Sequence, residues 1–440
     1  MTHRLALLLS LLALTVAPLS ATAMVGPASA EGPELMTGAW PIGTGTMTMP
    51  LVDRWMIAPS GAGLVRREVA LRYWYPAVAG AKGRPAIYRH SVKMPSQTIV
   101  VPPETGRAVS GARQAPGRYP LIILSHGFGG WNTHFSRLGE ALASHGYVVV
   151  SIGHGDEPYS DVPGFSRSFG NVLLGRAQDQ RHVLKHIVAA AGTTGPFGQI
   201  DIDHIGLLGY SMGGYGALAT AGAAYDQEGA PFSAVPLALR RSALSPDPET
   251  AAMIKSVVLV APWGGQPDNR VWQADALADV KQPVLMIAGD HDDVVNYDAG
   301  IRWIFDHLAA SDRRMLVFRE ARHNVLGNAV DLGPAANAAA IGYAYEPVWR
   351  QDRINAINQH FVAAFFDLTL KGDERRRAYL DVATPVAGDG TWTVPFGTGD
   401  NGALAGDGEP AYWRGFARRW ALGLEMHHHP AGDEMTQKGK

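Results

Sequence analysis

The sequence predicts an α/β protein built on a mostly parallel, doubly wound β-sheet. Short, uninterrupted apolar runs recur along the middle of the chain, and segments with helical spacing of apolar residues lie between them. A strand that is apolar at every position is typical of a parallel sheet covered on both faces. Strands that alternate with helices along the chain favour βαβ units, so we expect the sheet to be doubly wound.

The predicted elements begin with a strand over residues 67–75, where apolar and polar side chains alternate until Pro76 ends the run. The later strand candidates are 121–124, 147–152, 205–208, 256–261, 283–288 and 314–318. The helix candidates are 135–144, 175–191, 213–225, 299–310 and 353–370. Two segments, 31–64 and 77–119, are rich in glycine and proline, and we expect them to be largely irregular.

Composition and charge exclude several kinds of site. The formal net charge is -2 and the basic residues form no stripe, so nothing indicates a nucleic-acid partner. The chain has no cysteine, which excludes disulfides, thiolate metal sites and a cysteine nucleophile. The run His427, His428, His429 has no carboxylate at metal-binding spacing, and we interpret it as a solvated tail. We expect neither a metal nor another cofactor.

The residues around Ser211 predict a nucleophile on a sharp strand-to-helix turn. The strand candidate 205–208 runs directly into the pattern G-Y-S-M-G, and a helix candidate of small residues follows. Gly209 and Gly213 remove the Cβ atoms that would clash where the backbone turns this tightly. The start of the helix aims its backbone N–H groups at the reacting centre. The alternative is a glycine-rich packing turn with an idle serine.

A second glycine-rich turn predicts an oxyanion hole. Residues 125–130 read S-H-G-F-G-G directly after the strand candidate 121–124. Gly127 and Gly129 allow this loop to turn its amides toward the pocket. We therefore expect the backbone N–H groups of Phe128 and Met212 to be the two oxyanion donors. The alternative is an ordinary β-to-α turn, and His126 is expected to order the loop rather than to react.

The acid is expected on the loop that reads G-D-H-D-D-V-V over residues 289–295. A carboxylate here, after a late strand of the sheet, can orient an imidazole and stabilise its cation. Asp292 is preferred because its distance from Gly289 gives the loop room to turn back. Asp290 and Asp293 remain open as alternatives, as does a role for all three aspartates in capping the next helix.

His323 is the expected general base, because it lies just past the strand candidate 314–318. Most other histidines have structural explanations, such as a position on a predicted helix. His154 follows a strand at the same edge of the sheet and could line the pocket. The nucleophile, the oxyanion loop, the acid and the base thus follow four predicted strands, and the triad runs Ser211, Asp292, His323 along the chain.

With these motifs in place, the chain resembles the platelet-activating-factor acetylhydrolase-like branch of the α/β-hydrolases, grouped with dienelactone hydrolase-like esterases. The similar stretches are 67–76, 125–130, 146–155, 176–187, 209–214, 289–295, 321–324 and 358–372. The resemblance implies the α/β-hydrolase fold and a metal-free serine esterase acting on short-chain or lipid-type acyl esters. It implies the same roles for Ser211, Asp292, His323, Phe128 and Met212. Residues 325–350 do not align with that family, and they could form one wall of the pocket.

Three segments are expected along the chain. Residues 1–30 predict a secretory signal peptide, because a weakly basic start precedes an apolar run too short to span a membrane. Two small-x-small cleavage sites follow, at 21–23 and 28–30. We therefore expect a secreted or periplasmic protein, with an uncleaved anchor as the alternative. Residues 31–372 are the expected catalytic domain, and residues 373–440 are an extension that packs on it and ends in a disordered tail.

Other functions remain open at this point. The same site would suit a peptidase, a cutinase-like polyesterase, or a transferase in which an alcohol replaces water. A different class is a binding protein on a hydrolase fold that has lost activity. An intact Ser, Asp and His set in this order favours an enzyme. The expected partner is a small-molecule or lipid ester, and the oligomeric state cannot be predicted.

Overall fold

The computed structural model describes residues 32–94, 97–233, 235–393, 395, 404–406 and 411–433. The predicted signal segment, residues 1–30, lies outside this part of the chain. Within it, no helix has the length and apolarity that crossing a membrane requires.

The centre of the molecule is one eleven-stranded sheet, and a separate two-stranded hairpin accompanies it. The strands are β1 (Ile42–Ala58), β2 (Gly61–Pro76), β3 (Pro85–Tyr88), β4 (Ser91–Met94), β5 (Gln97–Val100), β6 (Glu104–Ser110), β7 (Tyr119–Ser125), β8 (Val148–Gly153), β9 (Ile200–Tyr210), β10 (Ile254–Val260), β11 (Val284–Gly289), β12 (Arg313–Phe318) and β13 (Leu424–His429). The order in the large sheet is β13-β12-β11-β10-β9-β7-β8-β2-β1-β6-β3. The hairpin is β4 with β5.

The parallel part of the sheet confirms the predicted fold class. Six neighbouring strands, β8, β7, β9, β10, β11 and β12, are parallel to one another. The side chains of β11 and β12 are buried at every position, which requires helices on both faces. Because parallel strands end at the same edge, the loops after β7, β9, β11 and β12 meet there. The expected site residues lie on these four loops.

Helices pack over the sheet, where α1 contacts α9 and α2 contacts α3. The helices are α1 (Ser136–Ser144), α2 (Val162–Ala190), α3 (Met212–Thr220), α4 (Leu237–Ala243), α5 (Pro248–Met253), α6 (Ala274–Leu277), α7 (Trp303–His307), α8 (Ala338–Ala344), α9 (Gln351–Lys371) and α10 (Arg377–Leu380). A π-helical turn, Tyr297–Arg302, precedes α7. The predicted helix 299–310 is therefore only partly α-helical.

The expectation of irregular structure before residue 119 is wrong for much of that segment. β1 pairs with β2 over nearly its whole length, from Ile42 opposite Pro76 to Ala58 opposite Gly61. β6 and β3 extend the sheet beyond β1. Strands β3 to β6 are only four to seven residues long. β6 and β3 are stabilised by pairing with β1 and with each other, which are not adjacent in the chain, so local composition gives little sign of them.

The expectation of a solvated tail at the histidine run is also wrong. His427, His428 and His429 belong to β13, which pairs antiparallel with β12. The backbone of β12 would otherwise present an unpaired edge, and β13 satisfies those hydrogen-bonding groups. Beyond the strand, the backbone N–H of Gly432 donates to the carbonyl of Ala309, with an N to O distance of 2.8 Å. The segment after residue 372 thus supplies the last strand of the main sheet.

Candidate active site

Ser211 lies on a strained turn between β9 and α3. Its φ is 52° and its ψ is -115°, a conformation that L-residues rarely adopt. A Cβ added to Gly209 would lie 2.3 Å from the carbonyl oxygen of Gly213, and a Cβ added to Gly213 would lie 2.1 Å from that of Ser125. Both glycines are therefore required by close backbone approach, as the G-x-S-x-G pattern predicts.

Ser211, His323 and Asp292 form one hydrogen-bonded array. Nε2 of His323 lies 3.1 Å from Oγ of Ser211, and Nδ1 of His323 lies 2.8 Å from Oδ2 of Asp292. The other carboxylate oxygen of Asp292 accepts from the backbone N–H groups of Val294 and Val295, at 2.9 and 3.0 Å. This geometry suits a base that takes the serine proton while a carboxylate orients the imidazole.

The structure separates the three aspartates that the sequence left open. Asp290 accepts from the backbone N–H of Glu320, and Asp293 pairs with the guanidinium of Arg322. Only Asp292, among these three, contacts His323. Burial alone would raise the pKa of Asp292, but His323 and the two backbone donors hold that pKa below its ordinary value. The carboxylate that faces His323 is therefore ionised.

The loop 125–130, the expected oxyanion loop, approaches Ser211 closely. A Cβ added to Gly127 would lie 3.2 Å from Cβ of Ser211, so the loop passes directly over the serine. Met212 is the first residue of α3, and its N–H lies outside the helical hydrogen-bond ladder. The ring of Phe128 stacks on Tyr159, with centroids 5.9 Å apart, and this contact anchors the loop to its neighbour.

A cavity of about 270 Å³ opens over Ser211 and His323. Its walls come from the oxyanion loop, the loop after β8, the segment after β12 and the end of α8. Aromatic rings make up much of the lining: Phe128, Trp131, Tyr159, Tyr210 and Tyr343. Residues 325–350, which did not align with the family, supply part of the wall, as the sequence suggested. The site is thus a largely apolar pocket with Ser211 in its wall.

Comparison with known proteins gives two matching family models. The model of platelet-activating factor acetylhydrolase, isoform II, matches residues 86–162, and that of the prolyl oligopeptidase family matches residues 133–335. A platelet-activating factor acetylhydrolase from Cavia porcellus is 50% identical over 40 residues, which are 9% of this chain and 9% of that protein. Cutinase 1 from Thermobifida cellulosilytica is 30% identical over 196 residues, which are 44% of this chain and 55% of that protein.

The chain thus spans about half, or less, of the length of these curated relatives. A solved ferulic acid esterase from Streptomyces cinnamoneus has the same fold, with a TM-score of 0.51 and 23% identity. The superposition covers 78% of this chain and 94% of that one. The chain therefore has the α/β-hydrolase fold. Its match to the acetylhydrolase model agrees with the resemblance that the motifs predicted.

The structure contains a second Ser, His and Asp array that the sequence did not reveal. Nε2 of His154 lies 2.8 Å from Oγ of Ser125, and its Nδ1 lies 2.8 Å from Asp179. All three side chains are fully buried, and His154, which the sequence allowed as a lining residue, is not part of the pocket wall. Gln180 joins this array to the nucleophile turn, because its Nε2 donates to both Ser125 and the carbonyl of Gly213.

Asn324 is a further residue of this α/β-hydrolase site that motif reasoning missed. Its Nδ2 donates to the carbonyls of Tyr343 and Tyr345, at 3.0 and 3.2 Å, and so ties the end of α8 to the loop of His323. Its Oδ1 accepts from the hydroxyl of Tyr210 at 3.4 Å. The only signal in the sequence is its position directly after the base.

Replacing Asn324 by alanine is expected to loosen the pocket wall. Two hydrogen bonds to the end of α8 are lost, and each is worth about 1 kcal/mol, so we expect KM to rise about fivefold or more. The loss in kcat should be smaller, because the contacts of Ser211 and Asp292 with His323 remain. Steady-state kinetics on a soluble ester checks this, with the thermal midpoint as a control for folding. An unchanged KM would contradict the assigned role.

Proposed function

We propose that this protein is a serine hydrolase that cleaves carboxylic esters through an acyl-enzyme. The observation that carries the proposal is the array of Ser211, His323 and Asp292, whose serine and histidine face a largely apolar cavity. Family models and relatives named acetylhydrolase, cutinase and ferulic acid esterase support the same chemistry. The acyl or alcohol part of the ester would lie against the aromatic lining.

In the first step, His323 takes the proton of Ser211 while Oγ attacks the ester carbonyl carbon. The carbonyl oxygen becomes an oxyanion, which accepts hydrogen bonds from the N–H groups of Phe128 and Met212. Each such donor is worth about 3 kcal/mol in the transition state. Protonated His323, stabilised by Asp292, then gives its proton to the leaving alkoxide, and the alcohol departs.

In the second step, water attacks the acyl-enzyme. His323 accepts a proton from the water, and the same two amides stabilise the second oxyanion. Collapse of this intermediate returns the proton to Oγ of Ser211 and releases the carboxylic acid. No metal or redox cofactor takes part in either step of the proposed mechanism.

The second candidate is a peptidase, which the match of residues 133–335 to the prolyl oligopeptidase family favours. The deciding experiment offers the purified protein p-nitrophenyl esters of two to sixteen carbons, matched p-nitroanilides and a polyester film. We expect the esters to be cleaved and the anilides to be left intact. Cleavage of anilides at comparable kcat/KM would favour the peptidase, and release of acid from the film alone would favour a polyesterase.

Export is a separate part of the proposal and rests on residues 1–30. An apolar run after a weakly basic start, followed by small residues at 21–23 and 28–30, favours cleavage by a signal peptidase. N-terminal sequencing of protein recovered from outside the cytoplasm tests this. We expect a start at residue 24 or 31, whereas a start at Met1 or Thr2 would contradict cleavage.

A further inference from the structure

The peptide group between Gly127 and Phe128 is held by an unusual set of donors. Its carbonyl oxygen lies 2.7 Å from Nδ1 of His126, 3.0 Å from Nη2 of Arg176 and 3.3 Å from the backbone N of Gly130. The peptide is trans, so its N–H points opposite to its C=O. The three donors on one side therefore direct the N–H of Phe128 away from themselves.

His126 is held as a neutral donor in this arrangement. The backbone N–H of His154 donates to Nε2 of His126, with an N to N distance of 3.2 Å, so Nε2 carries no proton. The proton is therefore on Nδ1, which donates to Gly127. Burial, together with the nearby charge of Arg176, lowers the pKa of His126 to about 4. Among the three described donors to the Gly127 carbonyl, only Arg176 then carries a full positive charge at neutral pH.

Arg176 is itself fixed by a buried carboxylate. It lies on α2, is fully buried and forms a bidentate pair with Asp156, with distances of 2.9 and 2.7 Å. Oδ2 of Asp156 also accepts from the backbone N–H of Gly129 at 2.8 Å. One ion pair thus holds the peptide groups on both sides of Phe128. Burial alone would raise the pKa of Asp156, but Arg176 keeps that pKa well below its ordinary value.

We propose that Arg176 is a positioning residue of the oxyanion hole: its guanidinium, fixed by Asp156, orients and polarises the peptide that carries the N–H of Phe128. This inference rests on the proposed function. A charged donor on a peptide carbonyl withdraws electron density through the amide, which makes the N–H a stronger donor. The effect acts where negative charge develops, so it stabilises the transition state more than the bound ester.

A purely structural role for Arg176 makes a different prediction, and the chain offers a matched control. Arg181 lies on the same helix, is also buried and donates to two carbonyls, those of Ser245 and Ala219, both at 2.8 Å. It makes no contact with the oxyanion loop in the hydrogen bonds of the described residues. Arg181→Lys therefore also shortens a buried arginine of this helix and removes its hydrogen bonds, but leaves the peptide of Phe128 untouched.

The test compares Arg176→Lys with Arg181→Lys, both normalised to folded protein by their unfolding transitions. With a short p-nitrophenyl ester, we expect Arg176→Lys to lose about ten- to a hundredfold in kcat, because an oxyanion donor is misdirected, while KM changes little. Arg181→Lys should keep kcat within about threefold. A boronic acid forms a tetrahedral adduct with Ser211, so its affinity should fall with kcat, whereas the affinity of the product acid should not.

Two results would overturn the inference: Arg176→Lys keeping kcat near wild type, or both variants losing kcat equally. If Arg176→Lys does not fold, Asp156→Asn serves instead, since it removes the negative charge and one of the two acceptor oxygens that fix the guanidinium. We expect it to show the same loss in kcat and in boronic acid affinity, and unchanged values would again overturn the inference. Failure of the proposed function is distinct, because wild type itself would then cleave no ester.

Discussion

Replacing Ser211 by alanine is expected to lower kcat for ester hydrolysis by about a millionfold, because removal of a triad nucleophile leaves only binding and the oxyanion hole. The fold should persist, since the side chain makes its one described hydrogen bond to His323. Hydrolysis of a p-nitrophenyl ester, followed beside the thermal transition of each protein, checks both statements. Residual activity above about 1% in the folded variant would contradict a nucleophilic role, given the size of the expected loss.

Because the chain has no cysteine, a cysteine at position 211 is the single thiol of the protein and gives a matched variant for this experiment. Ser211→Cys keeps a nucleophile at the same position and introduces a thiol with no competitor in the protein. Alkylation of that thiol measures whether a reagent can reach position 211. Reaction with a small alkylating agent is expected, because the residue lies in the cavity wall. A thiol that stays unreactive in the folded protein would contradict the accessibility of the site.

Asp292→Asn is expected to lower kcat by about ten-thousandfold, because the amide holds the imidazole in the wrong tautomer and no longer stabilises its cation. Asp290→Asn and Asp293→Asn are the matched controls on the same loop. Asp290 contacts the backbone of Glu320, and Asp293 contacts the exposed side chain of Arg322. Each control should change kcat/KM by less than about fivefold, as is usual for exposed pairs.

Steady-state kinetics of the three variants on one ester makes the comparison. A large loss of kcat in Asp290→Asn or Asp293→Asn, with Asp292→Asn near wild type, would show that Asp292 is not the carboxylate partner of His323. Equal and small losses in all three would contradict a carboxylate partner for His323. Unfolding transitions of the three proteins show whether any loss comes from misfolding.

The fold class and the positions of the site loops could be predicted because they depend on local patterns. Uninterrupted apolar runs marked the parallel strands, and β7, β9, β11 and β12 lie within a few residues of the expected bounds. At Gly209 and Gly213, an added Cβ would lie 2.3 Å or less from a backbone oxygen, so a larger residue does not fit at either position. Because this requirement acts on residues next to Ser211 in the chain, it can be recognised in the sequence.

The remaining features depend on contacts between distant residues and leave no such pattern. β13 forms a strand because the edge of β12 is available, although its sequence ends in three histidines. The pair of Arg176 with Asp156 joins residues 20 positions apart in the chain. The choice among three aspartates required the actual direction of the loop after β11. Such features are set by tertiary contacts, which override local propensity.

The most direct test of Ser211 as the nucleophile is labelling of the folded protein with a fluorophosphonate, followed by identification of the modified residue by mass spectrometry. A single phosphonylated serine, Ser211, is expected, with much slower labelling of Asp292→Asn and none of Ser211→Ala. Ser125 should stay unmodified, because its hydroxyl is fully buried between His154 and Gln180. Folded wild-type protein that remains unlabelled, or carries the label on another serine, would contradict the assignment of Ser211 as the nucleophile.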